Sequence, residues 1–264
     1  MGRMSKSIRL KKAMNKISSR DNSTLKKLKA LAKNKGRKKY GQFLVEGPQV
    51  LEEIRTIKEP IEVYVKESYQ GPLNPALKVT RIQDDLFNQI TPTVQSQGVL
   101  ALYEIEARKL EKLPRGLILY LDGISDPGNL GGLIRSAASF NVSAILLSED
   151  CVDIYNPKVV RSTMSAFFKL PFYQLSHEDL LTFTSHQLLA ADLSGQDLDD
   201  YVWKENSILI LGNEAHGVSQ DLKNHAKKLT IPMERSMESL NVDVAGSICM
   251  YDCYIKRGGR KRND

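Results

Sequence analysis

From residue 117 onward the chain alternates short apolar runs with amphipathic stretches that open on turn-forming residues: LILYLDG, DPGNLGGLIRSAASF, AILLSE, NPKVVRSTMSAFFK, HQLLAADLSG and SILILGN. No other feature restricts the fold as much. Strands that are apolar along their whole length are buried on both faces, and strands alternating with helices at this spacing run parallel. The pattern therefore predicts an α/β domain over 117–264, a parallel sheet with helices on both sides. Its first helix is expected to begin near Asn129 and its last to span roughly 240–256, where Ala245, Cys249 and Cys253 form a stripe of small residues. That stripe predicts close approach by another helix, within the fold or across a dimer.

A smaller version of the same rhythm occupies 41–106. QFLVEG, IEVYVKE, LKVTRI and GVLALYEI read as strands, PQVLEEIRTI and DDLFNQI as helices. Residues 107–116 read as a linker, because Pro114 and Gly116 stop any helix there. Residues 1–40 read as a basic arm whose part from 15 to 40 is a helix, with Asn22 or Ser23 as N-cap and Leu25, Leu28 and Leu31 on one face.

Charge is distributed unevenly. The chain carries +7, but residues 1–40 hold 15 Lys and Arg against the single Asp21, a charge of +14, so the rest sums to −7. A basic end of this kind suits a polyanion, and Lys26, Lys27, Arg37, Lys38 and Lys39 are the expected phosphate contacts; the bland reading is a solvated tail. Lysine supplies 11 of those 15 cations, which argues against an Arg-rich transit peptide and for an arm kept in the mature protein. No apolar run is long enough to cross a bilayer, so a soluble, cytoplasmic protein is expected. Three cysteines and four scattered histidines show no ligand spacing, which predicts no metal.

The turn DGISDPGNLGGL begins like a nucleotide-binding loop, but Gly128, Gly131 and Gly132 do not have the GxGxxG spacing, and no GK[ST] follows. A nicotinamide-dependent oxidoreductase is therefore set aside, and a purely structural role for the glycines stays open. Two further stretches, ILILGNEAHGVS at 208–219 and IPMERSMESLNVDVAGSICMYD at 231–252, again run a strand into polar residues. Open α/β sheets bind ligands at such strand ends, so the three loops suggest one composite pocket. Ser239, taken alone, could be no more than a helix N-cap.

These three stretches together, DPGNLGGLIRSAASF, LGNEAHGVS and IPM....ESLNV.VA, resemble the motifs of the SpoU/TrmH family of RNA ribose 2′-O-methyltransferases, within the SPOUT superfamily. FLVEGPQVLEEI and QGVLALYEI are similar to the substrate-binding domain that precedes the catalytic domain in many members. The resemblance implies a deep trefoil knot near the C-terminus, S-adenosylmethionine as cofactor, and a homodimer through the C-terminal helix. It implies cofactor contacts at Gly212, Ile231 and Leu240, with Leu211 and Met233 nearby. It implies catalytic roles for Arg135, Asn129, Glu214, Ser239 and Asn241, and an RNA contact at Arg161, for which a surface ion pair is the alternative.

Methyl transfer to a ribose hydroxyl is an in-line displacement, so positioning can supply most of the catalysis. Because a guanidinium stays protonated, Arg135 is expected to stabilise the developing oxyanion and clamp a neighbouring phosphate, with proton abstraction left open. Asn129 and Glu214 are expected to orient Arg135 or the ribose. Ala215, Ser165 and Arg235 stand where the family commonly carries glycine. The substrate class is expected to be 23S ribosomal RNA, with transfer RNA, or a weakly active RNA-binding assembly factor, as the alternatives.

Overall fold

The computed structural model describes residues 15–91, 93, 95–106, 108–234 and 239–259. Residues 1–14 of the basic arm, Arg235 and the C-terminal basic residues from Arg260 lie outside that range. The chain divides into two units, one taking the described residues up to Arg55 together with Glu59–Ile105, the other Thr56–Lys58 and the described residues from Glu106 onward.

The first unit runs β1 (Asn15–Ile17), α1 (Ser23–Leu31), α2 (Asn34–Tyr40), β2 (Gln42–Glu46), α3 (Pro48–Ile54), β3 (Glu62–Lys66), β4 (Val79–Ile82), α4 (Asp84–Phe87) and β5 (Val99–Glu104). Its sheet has the order β1-β4-β3-β5-β2. The pairs β1/β4 and β3/β4 are parallel, and β5 is antiparallel to both β3 and β2.

Residues 15–40 differ from the single helix read from the sequence. They form a strand and two helices, and they belong to the first unit rather than standing apart as an arm. Asn22 caps α1 by accepting from the Thr24 and Leu25 amides, and Leu25, Leu28 and Leu31 are almost completely buried in the unit's core. The break between α1 and α2 has a steric cause. Gly36 lies so close to Ala30 that a Cβ would sit 1.9 Å from its carbonyl oxygen.

The second unit continues with β6 (Leu117–Asp122), α5 (Pro127–Ser139), β7 (Ala144–Leu147), α6 (Pro157–Thr163), a 3-10 turn (Met164–Phe168) and β8 (Phe172–Gln174). It is completed by α7 (His177–Leu181), β9 (Gln187–Asp197), β10 (Ser207–Gly212), α8 (Gln220–His225), β11 (Lys227–Thr230) and α9 (Val242–Lys256). All six strands are parallel, in the order β11-β9-β10-β6-β7-β8. Strands β6 and β10 are buried at every position. Leu119 and Leu121 of β6 face a core shared with α5 and α9, while Ile118 and Tyr120 face the other core, shared with α7 and α8. This is the two-sided burial that the apolar runs predict.

Three local differences have plain causes. Helix α5 starts at Pro127, not Asn129, because Asp126 is the cap and accepts from the Gly128 and Asn129 amides at 2.6 and 3.0 Å. Helix α6 ends at Thr163, because Met164 adopts φ 54°. Segment 108–116 is irregular but not a free linker: Leu113 is buried in the second unit's core, and His186 Nε2 lies 3.0 Å from the Pro114 carbonyl oxygen.

The small-residue stripe of α9 faces inward. Cys249 and Cys253 are buried in the core, where burial pushes their thiols up to about 12 and about 11. The outward stripe is instead Val244, Ile248, Tyr251 and Ile255, all exposed. Within the chain, the close helix partner of α9 is α5, joined by a 2.6 Å hydroxyl contact between Ser136 and Ser247.

Candidate active site

The pocket arises where the sheet splits. Strand β9 pairs with β10 only as far as Ala190 and Ile210, while β10 stays paired with β6 through Gly212 and Asp122. Beyond that point β9 turns toward β11, with a register shift at Lys228/Leu229. The gap is a cavity of about 590 Å³, within the range usual for small-molecule sites.

Leu211, Gly212, Ile231, Met233 and Leu240, the five residues expected to hold the cofactor, all line this cavity. So do Glu214, Ser239 and Asn241. Gly212 has no room for a side chain, since a Cβ would meet the Gly217 carbonyl carbon and the Val218 nitrogen at 2.0 Å. The loop after β10 therefore folds back tightly on its own strand.

Polar residues from three loops tie the rim together. Asn129 Nδ2 donates to Glu214 Oε1 at 2.8 Å, and Asn241 Nδ2 donates to Asn129 Oδ1 at 3.1 Å. Glu214 also accepts from the Ser125 hydroxyl at 3.1 Å and the Asp126 amide at 3.3 Å. Partial burial works to raise the Glu214 pKa, but the hydrogen bonds, that from Asn129 foremost, hold its carboxyl below the usual carboxylate range. Asn213 donates to the Gly123 carbonyl at 2.7 Å, and Asp122 accepts from the Ser219 amide at 2.7 Å. Asn241, not Ser239, is the N-cap of α9; it accepts from the Asp243 amide at 2.9 Å.

In the opening turn the first free amides of α5 are taken by a side chain of the chain itself. The helix N-terminus is capped by Asp126, and the glycines serve packing: a Cβ on Gly131 would lie 1.8 Å from Ser162 Oγ, and one on Gly132 would lie 2.3 Å from Asp243 Oδ2. All three glycines lie inside α5 without positive φ, so they serve close packing of the helix rather than the conformation of a tight strand-to-helix turn.

Arg135 stands outside the pocket of its own chain. It lies six residues beyond Asn129 on α5, about 120° round the helix axis, and is exposed. Asn129 and Glu214 bond to each other rather than to Arg135, and its guanidinium has no hydrogen bond or ion pair among the described residues. Arg161 on α6 is also exposed and unpaired among the described residues, so the surface ion pair considered for it does not form there.

In the first unit the basic side chains divide. Lys38 and Lys39 are exposed, Lys27 and Lys39 place their ammonium groups 5.6 and 5.2 Å from the Tyr40 ring centre, and Lys26 pairs with Asp21 at 3.1 Å. Arg37 requires a correction: it is 3% exposed, and its guanidinium donates to the Leu31 and Ala32 carbonyls at 2.9 and 3.0 Å. It satisfies the open C-terminal end of α1 and is not available to a phosphate.

Of the three positions where glycine is common in the family, Ala215 and Ser165 do not adopt the positive φ that would favour glycine. The third, Arg235, lies outside the described residues. Sequence reasoning missed the wall supplied by Ala191, Asp192 and Leu193, just past the point where β9 leaves β10, and Lys223 on α8. No motif marks them; the one signal was the strand end in LLAADLSG. His216 also lines the cavity, exposed. Among the described residues no three His, Cys, Asp or Glu side chains cluster as a metal site would require.

Residues 116–251 match the family described as SpoU rRNA Methylase. The chain belongs to that family. Residues 22–101 match the MRM3-like substrate binding domain, so a SpoU methylase unit follows a substrate-binding one. The 23S rRNA (guanosine(2553)-2′-O)-methyltransferase RlmP of Bacillus subtilis is 31% identical over 248 residues, covering 90% of this SpoU methylase and 98% of that protein. Among solved structures, a TrmH-family protein from Porphyromonas gingivalis has a TM-score of 0.78 at 28% identity, over 90% of this chain and 98% of that one. An AdoMet-bound rRNA methyltransferase from Sinorhizobium meliloti has a TM-score of 0.81 at 23% identity, over 91% and 97%, and shares the fold.

Proposed function

We propose that this SpoU methylase transfers a methyl group from S-adenosylmethionine to a ribose 2′-hydroxyl of 23S ribosomal RNA, in the cytoplasm where that RNA is found. The observation that carries this reading is the cavity at the β9/β10 split, with Glu214, Ser239 and Asn241 of the family motifs on its rim. Its walls fit the cofactor: Leu211, Ile231, Met233 and Leu240 offer an apolar surface to an adenine ring, and Asp192 and Lys223 offer charges to an amino-acid end. When bound, the cofactor supplies an electrophilic methyl on a sulfonium. The segment from β10 to α9 is where the knot expected of the SPOUT fold would lie.

The protein's own work is to hold the ribose oxygen in line and to stabilise the negative charge it gains as its proton leaves. Asn129, Glu214 and Asn241 form the rigid frame for that, and Ser239 adds a hydroxyl to the pocket lining. Arg135 is the oxyanion and phosphate clamp, and it needs a second copy to reach a pocket. Support for a homodimer comes from the outward stripe of α9, where Val244, Ile248 and Tyr251 with Phe140 line a cavity of about 350 Å³. Phe140 follows α5, the helix that carries Arg135, so an interface on this patch sets that arginine beside the partner copy.

Lys27 and Lys39 beside the exposed ring of Tyr40, with Lys26 and Lys38, form the RNA-binding face of the first unit, and Arg161 that of the second. The test is transfer of labelled methyl into unmodified 23S, 16S and transfer RNA, by wild type and Arg135→Ala. Alkali-stable label in 23S RNA, lost in the variant, is the expected result. Label in transfer RNA alone would overturn the substrate, and label in none the reaction.

A further inference from the structure

The pocket contains an ion pair that none of the three motifs supplies. Asp192, just beyond the point where β9 leaves β10, and Lys223 on α8 meet at 2.8 Å, with side chains only 11% and 20% exposed. Both line the cavity. The carboxylate is largely used up: Oδ1 accepts from the Ser194 amide and hydroxyl, both at 3.0 Å, and Oδ2 takes Lys223.

The ammonium is in a different position. It has three donors, and Asp192 is its one partner among the described residues. It also lies beside the loop after β10, since a Cβ on Gly217 would be 3.7 Å from Nζ. Lys223 of α8 therefore places its ammonium between Asp192 of β9 and the loop after β10, with two donors left over. A largely buried lysine with spare donors favours an anion, and Asp192 cancels its charge so that the cavity does not repel a cationic ligand.

S-adenosylmethionine carries one anionic group, the carboxylate of its amino-acid end. We propose that Lys223, held in place by Asp192, binds that carboxylate and so makes the pocket selective for nucleosides that bear an amino-acid end. The inference rests on the cofactor reading above.

Calorimetry on the full chain tests it with two ligands, S-adenosylhomocysteine, which has the carboxylate, and 5′-methylthioadenosine, which lacks it. In Lys223→Gln the affinity for the first is expected to fall on the order of tenfold to a hundredfold, the worth of one hydrogen bond to a charged group. Affinity for the second should stay unchanged. Equal losses for both ligands, or a loss for neither, would overturn the proposal. The double variant Asp192→Asn with Lys223→Gln should show the same selective loss; recovery of S-adenosylhomocysteine binding there would trace the defect to a stranded carboxylate and overturn it as well. A wild-type protein that takes up neither ligand would sink the cofactor reading itself, an outcome separate from the others.

Discussion

The side-chain amide of Asn129 is bonded to the Glu214 carboxylate at 2.8 Å across a sequence separation of 85 residues. That bond, extended by Asn241, joins the start of α5 and the loop after β10 to the start of α9, so the rim of the pocket is a single hydrogen-bonded frame. Glu214→Ala removes the acceptor shared by Asn129, the Ser125 hydroxyl and the Asp126 amide. A misplacement of about 1 Å at a reacting centre costs on the order of 10²-fold, and a fall of that size in kcat, with little change in cofactor affinity, is expected in single-turnover methyl transfer.

The same carboxylate gives a pH dependence with a defined sign. Its folded-state pKa is depressed below the ordinary 4.5, so its stabilising contribution is present above that value and is lost as pH falls through the depressed one. Urea unfolding of wild type and Glu214→Gln should therefore differ at pH 7 and converge as the solution is acidified below about pH 4. A gap that widens on acidification would contradict this.

Gly131 and Gly132 predict graded packing defects. The Cβ of Gly131→Ala would strike the short Ser162 side chain, against which α5 packs, while that of Gly132→Ala meets the more movable end of Asp243. Overpacking of this kind costs about 1–3 kcal/mol. Denaturant titration should place Gly131→Ala below Gly132→Ala in stability.

Arg37 and its basic neighbours should separate by assay. Arg37→Ala leaves the last carbonyls of α1 without their donor, a loss of about 1–3 kcal/mol, visible as a lowered Tm. Lys38→Ala and Lys39→Ala should leave stability alone and reduce the slope of log affinity for RNA against log salt by about 0.7–0.9 for each phosphate that is no longer neutralised. A drop in Tm for the lysine variants, or none for Arg37→Ala, would reverse the assignment.

Ile248→Glu places a charge in the middle of the exposed outward stripe of α9. Sedimentation should show a dimer for wild type and a monomer for the variant. A wild-type monomer at working concentration would remove the route by which Arg135 reaches a pocket.

The parallel sheet was legible because two strands buried on both faces leave an unbroken apolar run, and the composite pocket because polar residues after such runs stand at the strand ends where open α/β sheets bind ligands. Arg37 escaped because a charge count cannot distinguish a cation that reaches solvent from one that closes a helix. The inward turn of Cys249 and Cys253 was hidden for a related reason: α9 is apolar around most of its circumference, so its spacing does not say which stripe faces the sheet. Asp192 was marked only by the polar turn within LLAADLSG, and Lys223 by nothing, since neither a diverging strand nor a short helix beside it carries a motif.

The split of the sheet bears on inhibition. Beyond Ile210, β10 has no ladder partner on its β9 side, so part of what the cavity offers a ligand is the open edge of a strand. Compounds that imitate only the flat base would compete for the apolar wall alone. A scaffold carrying a peptide-like donor and acceptor pair along that edge would engage main-chain groups, which side-chain substitution does not easily remove, and resistance by point mutation should arise more slowly against it.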